Sequence, residues 1–156
     1  MRKSLKNYMM DHIPIFGSGF HDVSFSGVKE TLTQLLVKPF ADSQRRKLLL
    51  DHLVALLREV ANVSIFTEAW IDGSFVTDKE APNDVDVVLW YNATSSVSPR
   101  ELQVYRELQD AKQMMSRYNC DVYLVKNGSD KLRRYWEGWF GQDRTGCPKG
   151  MIRVVF

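Results

Sequence analysis

Two aspartates, Asp84 and Asp86, stand on alternate positions at the head of the apolar run "DVDVVLWY", and the nine residues "FVTDKEAPN" separate them from the Gly73-Ser74 pair that ends "AWIDGS". Alternate residues of a strand face the same way, so the two carboxylates project from one face about 7 Å apart. Carboxylates placed like this repel each other and resist desolvation unless a cation lies between them. Oxygen donors without His or Cys beside them suit Mg²⁺ or Mn²⁺ better than zinc. Asp121 occupies a matching place, just before the apolar run "VYLV". If its strand neighbours that of Asp84 and Asp86, the three acids meet at one edge, as candidate metal ligands and catalytic residues. Such a donor set serves two-cation phosphoryl transfer, in which one ion activates the attacking oxygen and the other clamps the leaving phosphates. Glycine allows close approach of backbone to ligand, successive turn amides form an anion-binding concavity, and a serine hydroxyl adds a donor. Gly73 and Ser74 are therefore candidate nucleotide-phosphate contacts. Lys79, in the intervening loop, is a third, against the simpler reading of a solvated lysine.

The elements that must position these groups are legible from periodicity. In "DSQRRKLLLDHLVALLREVAN", Leu49, Leu53, Leu56, Leu57 and Val60 follow helical spacing, with Asp42 or Ser43 as N-cap. "VSIFTEAWI" reads as a strand ending at Asp72-Gly73-Ser74, and "DVDVVLWY" as a second, buried on both faces. Ser98-Pro99-Arg100-Glu101 carries a capping box with proline at the first helical position, opening a helix whose buried stripe is expected to be Leu108, Ala111, Met115 and Tyr118. "CDVYLVK" is a third strand. "SDKLRRYWEGWFG" places Leu132, Tyr135, Trp136, Trp139 and Phe140 at amphipathic spacing and stops at Gly141. "MIRVVF" is expected to close the sheet as its last strand. The first 42 residues read as an arm, "HIPIFGSGFHDVSFSG" as loop, with one short helix in "VKETLTQLLV" carrying Val28, Leu32 and Leu35 on one side. The expected organisation is an arm over residues 1–42 packed on a domain over 43–156, one globular unit of α/β or α+β class with a small mixed sheet flanked by helices.

Composition excludes several function classes. Among 156 residues, 44% are hydrophobic and 26% charged, as in an ordinary globular protein, and the net charge of +2 is too small for nucleic-acid binding by bulk electrostatics. The basic N-terminus has no long apolar core, and no stretch approaches the roughly 18 apolar residues of a membrane span. Cys120 and Cys147 form neither a metal-type pair nor a disulfide framework, so a reducing cytoplasm is the expected location. His12, His21 and His52 show no ligand spacing.

With the residues in view, Gly73-Ser74, Asp84-Val85-Asp86 and Cys120-Asp121-Val122 resemble the signature of the DNA polymerase β-like nucleotidyltransferase superfamily, over a core of residues 43 to 126. The resemblance implies Mg²⁺-dependent (or Mn²⁺-dependent) transfer of a nucleoside monophosphate from an NTP, with release of pyrophosphate. By matching position, Ser74 would contact the phosphates, Asp84 and Asp86 would ligate the metal, and Asp121 would complete the site and help deprotonate the acceptor hydroxyl. The acceptor, whether protein, RNA or small molecule, is not encoded in these motifs. The small domain is similar to the minimal nucleotidyltransferases of bacteria and their toxin–antitoxin systems, and "WEGWFGQDRTGCPKG" resembles the tail of uncharacterised bacterial and phage proteins of this fold. "FVTDKEAPN" departs from the pattern, being a weak helix former where a short helix is usual. An inactive nucleotidyltransferase-like module acting as antitoxin, inhibitor or nucleotide sensor is the alternative, and nucleic-acid binding through Arg45, Arg46 and Lys47 or Arg133 and Arg134 is a third reading. The first of these basic clusters opposes the macrodipole at a helix start, which points to an anionic contact or to a solvated turn.

Overall fold

A computed structural model of the chain describes residues 13–41, 43–94, 96–143 and 146–156, so His12 and the alternative cap Asp42 lie outside the described residues. In chain order these form β1 (Gly19–Ser24), a short α1 (Val28–Leu32) running on through a π-type turn to Val37, α2 (Gln44–Ala61), β2 (Phe66–Asp72), β3 (Val85–Tyr91), α3 (Pro99–Leu108), α4 (Ala111–Tyr118), β4 (Cys120–Lys126), α5 (Asp130–Phe140) and β5 (Gly150–Val155). The sheet has the order β1-β5-β2-β3-β4. Its β1–β5 and β3–β4 pairs are parallel and its β5–β2 and β2–β3 pairs antiparallel, so the fold is α+β with a mixed sheet, as expected.

Strand alternation divides the side chains between two layers. Ala69, Ile71, Val85, Val87, Leu89, Cys120, Ile152 and Val154 face α1 to α4 in the main core. Trp70, Val88, Trp90, Val125 and Met151 face the other way, under Phe140, Leu132 and Trp136 of α5. The expected stripe of α2 is buried throughout, each such leucine contributing about 1.5–3 kcal/mol of burial.

Five expectations are corrected. The segment read as loop contains β1, an edge strand hydrogen-bonded to β5. The last strand does not close the sheet but enters between β1 and β2. The helix opening at Ser98 breaks at Asp110, whose side chain accepts the amide of Gln113 and starts α4 in a new phase. Met114 is therefore buried, whereas Ala111 and Met115 are exposed. The π-type turn shifts α1 in the same way, burying Leu36 in place of Leu35. In α5 only Leu132, Trp136 and Phe140 pack inward, leaving Tyr135 and Trp139 60% and 65% exposed.

The capping box at α3 is present, and Glu101 also accepts the amide of Ser64 at 2.9 Å, tying α3 to the start of β2. The amides of Ser64 and Ser98 hold its carboxyl down at about 2, against an ordinary 4.5. A depressed carboxyl contributes stability above its unfolded pKa and loses it as pH falls toward the folded one. Glu101→Gln is expected to lower the urea midpoint at neutral pH, with the gap narrowing as pH falls from about 4.5 toward 2.

Candidate functional site

The chain leaves β2 at Asp72, turns at Gly73 and enters a single 3-10 turn over Ser74–Val76, the only regular structure before β3 among the described residues. Gly73 has φ +84° and ψ −163°, a conformation side chains rarely adopt. A Cβ there would fall on Oδ2 of Asp86 and 3.1 Å from its Cγ, so the absent side chain is what lets the Asp86 carboxylate lie against the turn.

Register places the acids. Cα partners across the sheet are Asp72 with Asp86 and Asp86 with Asp121, one line of carboxylates on three adjacent strands and one face. Asp121 thus pairs with Asp86, while Asp84 lies just before β3. Asp84, Asp86 and Asp121 are all half-buried. They act together on two neighbours: the Tyr123 hydroxyl is pushed up to about 12 by burial, by its hydrogen bond to Asp121 and by the charges of Asp121, Asp86 and Asp84. Burial and then the same three charges push the Cys120 thiol to about 12, leaving no thiolate for chemistry. Tyr123 Oη donates to Asp121 Oδ2 at 2.8 Å, and the ring is flanked by Trp136 and Phe140 of α5.

Oxygen donors at one sheet edge beside a turn that Asp86 fills suit a hard divalent cation in type and place. Among the described residues, however, no group of three or more His, Cys, Asp or Glu side chains already stands as a ligand set. The sequence reading brought Asp84, Asp86, Asp121, Gly73 and Ser74 to one edge, but Asp72 escaped it as a plain turn residue. Asp72 is buried, and its carboxyl is raised to about 7 by burial, against the lowering effect of Lys149, whose ammonium lies 3.0 Å from Oδ1. The contact is an ion pair between two buried side chains.

The loop between turn and β3 is fastened from both sides. Arg46, fully buried, donates to the carbonyls of Leu36, Phe75, Thr77 and Lys79, and its guanidinium lies over the Phe40 ring. Arg45 donates to the carbonyls of Pro82 and Asn83. Residues 13–15 strap the other side, with Ile15 N to Val76 O at 3.0 Å and Asp78 N to Ile13 O at 2.8 Å. Arg45 and Arg46 are thus neither an anion contact nor a solvated turn but clamps on the site loop. Lys79 enters this clamp through its carbonyl, its side chain remaining half-exposed. Arg133 pairs with Glu68 over the rings of Trp70 and Trp90, while Arg134 is exposed. His52 bonds Asn119 and His21 the carbonyl of Gly17, both structural. No helix among the described residues is long and apolar enough to cross a membrane.

Fold and site together define a small α+β protein with a line of carboxylates at one end of a mixed sheet, beside a Gly-Ser turn. The chain belongs to a family of unknown function, DUF6932, whose model matches residues 9–155. That span takes in β1 and the strap as well as the acid edge. No curated protein and no solved structure matches the chain.

Gly73→Ala tests the fit of Asp86 to the turn. Strain at positive φ and the collision with Asp86 are expected to cost about 1–3 kcal/mol of stability. Divalent-cation binding, read by titration with Mn²⁺, is expected to weaken, because the carboxylate must swing away.

Proposed function

We propose that this protein is a Mg²⁺-dependent nucleotidyltransferase that moves a nucleoside monophosphate from an NTP to a hydroxyl of a protein, RNA or small molecule, releasing pyrophosphate. The observation that carries this reading is the registry of Asp86 with Asp121, with Asp84 two residues before Asp86 and the Asp86 carboxylate seated on the Gly73-Ser74 turn. Asp84, Asp86 and Asp121 would hold Mg²⁺ or Mn²⁺, which when bound supplies Lewis-acid activation of the acceptor oxygen and neutralises phosphate charge. The turn amides and Ser74 Oγ receive phosphate oxygens. Asp121 accepts the proton of the acceptor hydroxyl, a role its bond from Tyr123 orients. Incubation with α-labelled NTPs, Mg²⁺ and cell lysate is expected to label an acceptor. Absence of both labelling and pyrophosphate release with every NTP would sink the reading.

One observation favours a second reading, a nucleotide-binding module without turnover. Asp72 is paired with Lys149, and among the described residues no three His, Cys, Asp or Glu side chains stand assembled as a ligand set. NTP binding that survives chelation of divalent cations, with no pyrophosphate released, would decide for it.

A further inference from the structure

Lys149 is a lysine from the segment before β5, far in sequence from the acids, yet its ammonium is brought to the carboxylate next to Gly73. Both partners are sequestered: Asp72 is 3% and Lys149 8% exposed. The backbone fixes this placement, since Lys149 N donates to the carbonyl of Gly141 at 2.8 Å, immediately after α5. Four arginines are committed elsewhere. Arg45 and Arg46 are bound to loop carbonyls, Arg133 to Glu68 and Arg153 to Asp22. A lysine ammonium has three donors and Asp72 Oδ1 engages one of them, so capacity for another anion remains. The anion-receptive backbone of the turn at Gly73 and Ser74 directly follows Asp72.

We infer that Lys149 and the Gly73-Ser74 turn form a polyphosphate-binding position, with Lys149 contacting the non-bridging oxygens of the β- and γ-phosphates of a bound nucleotide and Asp72 serving as its counter-ion while the site is empty. The nucleotide part of this assignment rests on the nucleotidyltransferase reading; the polyphosphate part does not. It moves the phosphate-contacting lysine from Lys79, in the loop, to a residue delivered by the last strand. An incoming phosphate chain offers the ammonium several anionic oxygens in place of one carboxylate.

Calorimetry with inorganic tripolyphosphate, and separately with a non-hydrolysable ATP analogue plus Mg²⁺, tests this on the full chain. Lys149→Met is expected to weaken both ligands about tenfold to a hundredfold, the range for loss of a charged hydrogen bond. Lys79→Met is expected to change either affinity less than about threefold, well under one charged hydrogen bond. A merely structural ion pair would make Asp72→Asn as harmful as Lys149→Met, whereas a phosphate contact leaves Asp72→Asn binding as well as the parent or better, because Lys149 is released. If Lys149→Met fails to fold, Asp72→Asn and Lys149→Arg decide: retained affinity in both supports the assignment, and loss in Asp72→Asn overturns it. Tripolyphosphate binding without nucleotide binding removes the nucleotidyltransferase reading but keeps the anion position. Nucleotide binding unchanged in Lys149→Met does the reverse.

Discussion

A variant carrying both Asp84→Ala and Asp86→Ala is expected to lose NMP transfer by about a thousandfold or more, since a bound metal supplies several kcal/mol of charge stabilisation to phosphoryl transfer. Folding is expected to survive. The two carboxylates are half-buried and lie close to Asp72 and Asp121 on the same face, so deleting them relieves like-charge repulsion. The melting temperature should stay level or rise slightly while labelling by α-labelled NTP and pyrophosphate release both vanish. This combination separates a chemical role from a structural one: a structural pair of acids would lower both together. Undiminished labelling in a folded double variant removes the metal-centred mechanism. Tyr123→Phe in the same assay is a milder perturbation, taking away only the bond that orients Asp121.

The parts of the site that a reader of the sequence can find are those whose signal is local. Asp84-Val85-Asp86 heads a run that is apolar on both faces because β3 lies between β2 and β4. Asp121 heads a similar run, and only its register against Asp86 needed the three-dimensional pairing. β1 stayed hidden because it is an edge strand with Val23 alone fully buried, so "GFHDVS" has no alternation to detect. The break at Asp110 was hidden for a different reason, since apolar residues continue at near-helical spacing across it and only the Asp110 cap marks the change of phase. The roles of Asp72, Lys149 and Arg45 leave no mark in residue types and spacing, and that of Arg46 leaves only a faint one. Each buried charge is explained by a partner far away in sequence: a carboxylate for Lys149, and backbone carbonyls, which every sequence contains, for the arginines. Asp110 followed by a fresh helical pattern, and a charged residue inside an apolar helical stripe, as Arg46 is ahead of Leu49 and Leu53, are the signals that could have been used.

The largest effect on stability is expected at Arg46. Its guanidinium makes five hydrogen bonds to four carbonyl oxygens, those of Leu36, Phe75, Thr77 and Lys79, the last receiving both Nε and Nη2. Replacing both members of a buried ion pair by apolar groups can be neutral, but here the acceptors are main chain and cannot be replaced. Arg46→Met leaves carbonyls buried without donors and is expected to cost about 3–5 kcal/mol, measured by urea unfolding. Arg46→Lys is expected to recover only part of this, because one ammonium with three donors cannot span four acceptors arranged around a planar fork. Burial lowers the guanidinium pKa to about 10, still far above neutrality, so the charge and all five bonds persist through the neutral range and the stability difference should be flat with pH there. The same bonds fix the loop that follows Ser74, from Phe75 to Lys79, so nucleotide affinity is expected to fall along with stability. Arg45→Met, which releases only the carbonyls of Pro82 and Asn83 at a more exposed position, is expected to lower affinity with a smaller loss of stability. If Arg46→Met unfolds at the same urea concentration as the parent, the loop is held by the strap of residues 13–15 alone, and the arginine is not what positions Ser74 beside Asp86.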